Sequence, residues 1–295
     1  MNRSYRFTGI AVAAVTLAAS AAAFSDQQAA ARPTARQAAA GPAIASPAPH
    51  PMIPAALPAG PAGISAVANI RTVGSKNWAG YAVGRNEEEK FRRVIATFFV
   101  PFLNCAVSPG TDGTYSSHWV GLDGYTSGTV EQDGIEADCA GTTAQYFAWR
   151  EVFPRPERAS TIAIHPGDSV TASVRFIRAS GEYRMEVKDN TDGRYFTVYQ
   201  TCDGSACQRN SAEVISEAPT LVQSGTNVQS SLADYGALGF SGISITNGSG
   251  RIGGIRSSYW DRVKIEQVGY VSHAVIARPT VLNGSSFDNY WLGES

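Results

Sequence analysis

The run Tyr183-Arg184-Met185-Glu186-Val187-Lys188 sets every second side chain on an apolar face and the rest on a polar one. That period of two belongs to a β-strand with one face in water, and a helix does not satisfy it. The turn residues Asp189-Asn190-Thr191-Asp192-Gly193 follow, and residues 194–201 read as the returning strand. The same grammar recurs along the chain. Strands are expected at 94–100, 116–122, 144–153, 169–177, 212–217, 243–246 and 263–268, separated by turns rich in Gly, Asn and Asp. No window carries a convincing amphipathic helix of three turns. Many short strands at this spacing predict an all-β domain, an antiparallel β-sandwich.

Charge narrows the partners. Charged residues make up 17% of the chain and the formal net charge is −1, which asks for neither a nucleic acid nor a membrane surface. Arg3 and Arg6 precede an apolar run over 7–19, and small residues at 20–23 offer cleavage sites, so 1–24 reads as a signal peptide. The run is shorter than the roughly 20 residues of a membrane span. The expectation is a secreted chain, free of the membrane once the signal is removed. Residues 25–68 are Ala- and Pro-rich and cannot bury enough apolar surface to offset their ordering entropy. Between Asp26 and Glu87 there is no acidic residue, while Arg32, Arg36, Arg71, Lys76 and Arg85 are basic. The stretch reads either as a flexible linker or as a propeptide that covers an acidic cleft and leaves when its carboxylates protonate. The remaining residues, 69–295, form the sandwich domain.

An exported chain with four cysteines is expected to form two disulfides, for which three connectivities exist. Cys202 and Cys207 flank a turn-like stretch that a local bridge closes, which leaves Cys105 to pair with Cys139. Neither a C-x-x-C pair nor an H-E-x-x-H helix is present, and His50, His118, His165 and His273 are scattered, so no metal or other cofactor is expected. The G-x-S-x-G elbow is missing, as are Asp-Thr-Gly and Asp-Ser-Gly. With the cysteines bridged, no thiol remains as a nucleophile.

Three segments concentrate aromatic, carboxyl and amide side chains. They are Ser117-His118-Trp119-Val120-Gly121-Leu122-Asp123-Gly124 with Thr129-Val130-Glu131-Gln132-Asp133-Gly134, then Tyr146 through Pro154, then Ser211 through Pro219. On a strand, Phe147, Trp149, Glu151 and Phe153 share one face, as do Glu213, Ile215 and Glu217. A carboxylate among aromatics is costly in a core, so such a face suits a cleft wall.

At these segments the chain resembles the glutamic peptidases, also called eqolisins. The family's W-V-G-[IL]-D-G run stands as Trp119 to Gly124, and its N-W-[AG]-G as Asn77-Trp78-Ala79-Gly80. Its A-W-x-E-x-[YF]-P strand stands at Ala148 to Pro154, and its A-E-[WF]-I-x-E strand at Ala212 to Glu217. Departures are Val214 for an aromatic, Arg150 for another, and a slightly short interval between Trp119 and Gln132. The resemblance implies two large antiparallel sheets, one curved into a substrate cleft, and a catalytic pair of Gln132, set before a Gly-containing turn, and Glu217. It further implies Trp119 and Trp149 as cleft walls, with Asp123, Glu136 and Glu151 near the site to orient the pair or to contact substrate.

The implied activity is that of an acid endopeptidase acting on polypeptides, made as a zymogen and working as a monomer. Glu217 serves as general base and then acid, and Gln132 holds the water and donates to the oxyanion. Two rival readings predict different behaviour. A glycoside hydrolase needs two carboxyls about 5–9.5 Å apart, whereas Glu213 and Glu217 on one strand lie about 13 Å apart. A non-catalytic carbohydrate- or peptide-binding sandwich, with Trp119 and Trp149 as platforms, keeps its function when Glu217 becomes Gln.

Overall fold

The computed structural model describes residues 50–58, 70–84, 90–107, 113–203, 207–223 and 226–295, the side chains at 222–227 excepted. The signal peptide expected at 1–24, and most of the 25–68 stretch, lie outside the described residues. In chain order the strands are β1 (Pro54–Ala55), β2 (Arg71–Ser75), β3 (Trp78–Gly84), β4 (Phe91–Phe99), β5 (Ser117–Leu122), β6 (Val130–Ala140), β7 (Thr143–Phe153), β8 (Arg158–Ala159) and β9 (Ser169–Ile177). They continue as β10 (Glu182–Asp189), β11 (Tyr195–Thr201), β12 (Ser211–Glu217), β13 (Thr220–Gln223), β14 (Thr226–Gln229), β15 (Ala237–Asn247), β16 (Ile252–Gly253), β17 (Asp261–Val268), β18 (Val275–Pro279) and β19 (Phe287–Trp291). No helix occurs among the described residues.

Hydrogen-bonded neighbours run β8–β7–β6–β5–β12–β3–β17 in the first sheet and β19–β15–β4–β9–β10–β11 in the second, with β18 joining β17 to β19. All these pairs are antiparallel; the exception lies beside them, where β2 runs parallel to β17. β13 and β14 form a separate hairpin directly after β12. The sheets pack face to face. Val120, Leu122, Ile135 and Ala148 of the first meet Val94, Ala96, Phe98, Val170, Val174 and Met185 of the second. Each fully buried Val, Leu, Ile, Phe or Met side chain among them contributes about 1.5–3 kcal/mol. The disulfides are Cys105–Cys139 and Cys202–Cys207, as expected.

Two expectations change. The sequence reads Gln132 as lying before a Gly-containing turn, yet Gln132 and Gly134 both sit inside the eleven-residue β6. Gly134 is there for space. A Cβ on it would stand 2.2 Å from the His118 carbonyl oxygen and 2.7 Å from Trp119 Cβ, so its absence lets the Trp119 side chain lie against β6. The second concerns the Pro-rich stretch, of which the described residues 50–58 are docked on the domain. β1 pairs antiparallel with β2, Pro54 opposite Ser75 and Ala55 opposite Gly74, and Lys76 N–H donates to the Ile53 carbonyl at 2.7 Å. Residues 50–58 form a strap held by backbone pairing, which needs no apolar side chains and so leaves no pattern to read.

Candidate active site

Register on the first sheet decides which side chains meet. Glu217 of β12 lies opposite Ser117 of β5, which lies opposite Glu136 of β6 and then Phe147 of β7. Trp119 pairs with both Ile215 and Gly134, and Gly134 in turn with Trp149. Gln132 pairs with Gly121 on one side and with Glu151 on the other. The period of two puts all of these on one face, the face away from the second sheet. Trp78, Trp119, Val130, Trp149 and Ile215 form an apolar floor there, and Trp78 meets Trp119 edge to face at 5.0 Å.

Glu217 is fully buried and both its oxygens accept hydrogen bonds. Oε1 accepts from Asn77 Nδ2 at 2.9 Å and from the backbone N–H of His50 at 3.0 Å. Oε2 accepts from the Trp119 indole at 3.0 Å. Burial pushes the Glu217 carboxyl well above the usual range; the three donors pull it back and the nearby Glu151 pushes it up again. Gln132, also fully buried, donates from Nε2 to Glu151 Oε2 at 2.7 Å. That bond fixes the amide orientation and leaves Gln132 Oε1 and Glu151 Oε1 buried without a partner. Glu151 is raised to about 8 by burial, partly offset by the Gln132 donor. No hydrogen bond joins Gln132 to Glu217 directly. They are linked through Glu151, which is bonded to the one and acts electrostatically on the other.

More carboxyls gather around this centre. Glu136 accepts from the Ser117 hydroxyl, and burial together with Asp138, Glu157 and Glu217 raises its pKa. Asp138, two residues along the same face of β6, accepts from Ser116 N–H at 3.3 Å and is raised to about 7, chiefly by burial. Glu157, in the turn between β7 and β8, lies within the electrostatic reach of Glu151, Asp138 and Glu217.

Of the expected site residues, the structure brings together Gln132, Glu217, Trp119, Trp149, Glu136 and Glu151. Asp123 stands apart, six residues from Ser117 at the end of β5. Its backbone is in the left-handed region (φ 71°), and its carboxylate accepts from Arg209 N–H at 2.6 Å and Asn210 N–H at 2.8 Å. Those bonds hold the entry to β12. Arg150 lies on the opposite face of β7, because Trp149 and Glu151 on either side of it share the face of Gln132. His118 is a buried core histidine, bonded to Ser216 Oγ at 2.9 Å and lowered to about 3 by burial.

Sequence reasoning misses Asn77, Asp138, Glu157 and His50 as members of the site. Asp138 was reachable, since it shares the strand face of Gln132 and Glu136. His50 acts through its main chain. Asn77 Nδ2 also donates to the carbonyls of His50 and Pro51, at 3.2 Å each, while its Oδ1 accepts from Ile53 N–H at 2.8 Å. The Trp78 indole donates to the His50 carbonyl at 2.9 Å, the Met52 N–H reaches the Gly124 carbonyl at 3.1 Å, and the Met52 side chain packs on the tryptophan floor.

One face of this β-sandwich thus gathers a buried carboxyl, an oriented amide and three tryptophans, with the cysteines bridged. The model of the peptidase A4 family matches residues 76–286, and the chain belongs to that family, the glutamic peptidases. Its fold is similar to scytalido-glutamic peptidase, solved with a transition-state analogue inhibitor, with a TM-score of 0.61 and 22% identity over 73% of this chain and 98% of that one. It is also similar to SCP-B, an eqolisin solved in complex with the tripeptide Ala-Ile-His, with a TM-score of 0.58, 22% identity and the same coverage of 73% and 98%. No curated protein sequence matches it.

Proposed function

We propose that this chain is a secreted acid endopeptidase, made as a zymogen, whose Glu217 and Gln132 hydrolyse peptide bonds through an activated water. The observation that carries the reading is the setting of Glu217: a buried carboxyl held by three N–H donors, beside an amide whose oxygen is buried and unpartnered. Ionised Glu217 takes a proton from a water that Gln132 Oε1 holds, and the water oxygen bonds to the scissile carbonyl carbon. The free N–H of the Gln132 amide donates to the oxyanion, a contribution of about 3–4 kcal/mol to the barrier. Glu217 then passes the proton to the amide nitrogen, the C–N bond breaks, and an acid and an amine leave. Glu151 keeps the Gln132 amide turned the right way throughout.

The strap is the inhibitory part of the zymogen. Its His50 N–H occupies the oxygen that would accept the water's proton, and its backbone lies where a substrate would lie. Burial under the strap raises the Glu217 pKa, so the docked strap keeps the carboxyl in its protonated form, which is no base. Once the strap has gone, water reaches Glu217 and burial penalises its charge less. The Asn77 and Trp119 donors remain and favour the ionised base.

The test incubates the full chain with denatured globin from pH 3 to pH 7 and reads new N-termini by mass spectrometry. Expected are internal globin cuts restricted to acid, appearing together with loss of the strap. Intact globin at every pH after the strap has been removed would contradict the reading and favour a binding module.

A further inference from the structure

A cavity of about 220 Å³ is lined by His50, Ile53, Lys76, Thr220, Gln229 and Tyr270, and the same His50 donates its N–H to Glu217 at 3.0 Å. Its place in the chain ties it to the reacting centre. Lys76 immediately precedes Asn77, which holds Glu217 Oε1, and Thr220 follows Glu217 by three residues. His50 and Ile53 belong to the strap, so its departure removes two lining residues, one of which also caps Glu217. The domain supplies the other four walls.

Those walls carry unused hydrogen-bonding capacity. Thr220 is 4% exposed, and its hydroxyl oxygen is buried without a partner. Gln229 donates to the Ala218 carbonyl and leaves its own Oε1 buried and unpartnered. Lys76 makes no ion pair among the described residues and stands over the Tyr270 ring at 5.5 Å. Buried polar groups without a partner cost about 1–3 kcal/mol each, a cost that a matching ligand group recovers. The geometry points to a substrate subsite for a carboxylate-bearing side chain, Asp or Glu, received by the Lys76 ammonium and the Thr220 hydroxyl. Gln229 lines the same cavity.

This rests on the peptidase reading and extends it to specificity. The other titratable groups about Lys76 are His50, Tyr270, Glu217 through Asn77, and Glu294 in a smaller neighbouring cavity that Lys76 also lines. A substrate Glu ionises above about pH 4.3, so the preference belongs to pH 5 and fades at pH 3.

The test compares full chains of wild type, Lys76→Gln and Lys76→Glu after identical acid incubation. Each cuts a peptide library, then matched peptides bearing Glu, Gln or Leu at the position the library selects. In wild type the Glu/Gln ratio of kcat/KM at pH 5 is expected at about five- to tenfold, carried by KM. Lys76→Gln brings that ratio near one, Lys76→Glu inverts it, and all three converge at pH 3. Cleavage with no position favouring Glu, or a ratio that survives Lys76→Gln, overturns the subsite and leaves the peptidase standing. Absence of any cleavage by wild type overturns both together.

Discussion

Replacing Asp138 by Asn should leave the protein about as stable as wild type at pH 3 and make it distinctly more stable at pH 8. Asp138 is buried, accepts a hydrogen bond from Ser116 N–H, and stands beside Glu136, so its ionised form is disfavoured in the folded state. Its pKa is about 7 folded against an ordinary 3.8. Between those values the folded state holds more protons than the unfolded, so stability falls as pH rises. The full gap corresponds to roughly 4 kcal/mol at about 1.4 kcal/mol per pH unit, an upper figure because neighbours relax. At about 2–4 °C per kcal/mol for a domain of this size, the melting temperatures of variant and wild type should separate by about ten degrees at pH 8. Asn keeps the acceptor for Ser116 and offers Glu136 an N–H, which isolates the charge effect. The assay is thermal melting from pH 3 to pH 8 in a Glu217→Gln background, so that self-digestion does not intrude. Melting curves for the two proteins that run parallel across that range would refute the reasoning.

Three further outcomes follow from the same contacts. Trp119→Phe removes the indole donor to Glu217 Oε2; kcat should fall about tenfold, and the acid limb of the pH–rate profile should move to higher pH because the carboxylate loses a stabilising bond. An unmoved acid limb would make Trp119 merely structural. His50→Pro deletes the N–H that caps Glu217 Oε1, so globin cleavage by the full chain should begin at a higher pH than in wild type, and an unchanged onset would reject the capping role. Loss of the Cys105–Cys139 bridge, which spans 34 residues, should cost about 4 kcal/mol, against about 2 for the Cys202–Cys207 bridge spanning 5, as read by denaturant titration of the paired Ala variants.

The sequence makes several strands legible: the structure returns 169–177 with the same bounds and extends 212–217 by one residue to Ser211. It hides β6, because Glu131, Gln132, Asp133, Glu136 and Asp138 distribute polar groups over both faces of a strand that is buried on both. Polar residues are normally read as turns, and here they stay buried through mutual contacts and raised pKa values. The short pieces β1, β2, β18 and β19 offer too few residues for a period. Gln132 and Glu217 become visible through the order of several motifs, since either residue alone reads as ordinary. The strap contact leaves no trace in side-chain pattern, because it is made by the main chain of His50 and answered by Asn77 and Trp78. Asp123 shows the converse. A carboxylate inside a family motif serves a loop at the end of β5, accepting two backbone N–H groups.

The central claim is that Glu217 and Gln132 act together on a water, and single-turnover hydrolysis of one peptide at acid pH tests it most directly. Wild type, Glu217→Gln and Gln132→Ala are compared after circular dichroism has established that each is folded and mass spectrometry that each has lost the strap, removed in trans by wild type where needed. The account predicts a fall of two orders of magnitude or more for Gln132→Ala, and hydrolysis at the background rate for Glu217→Gln. Turnover by folded, strap-free Glu217→Gln at a rate near that of wild type would contradict it and move the search to Glu213, Glu151 and Glu136.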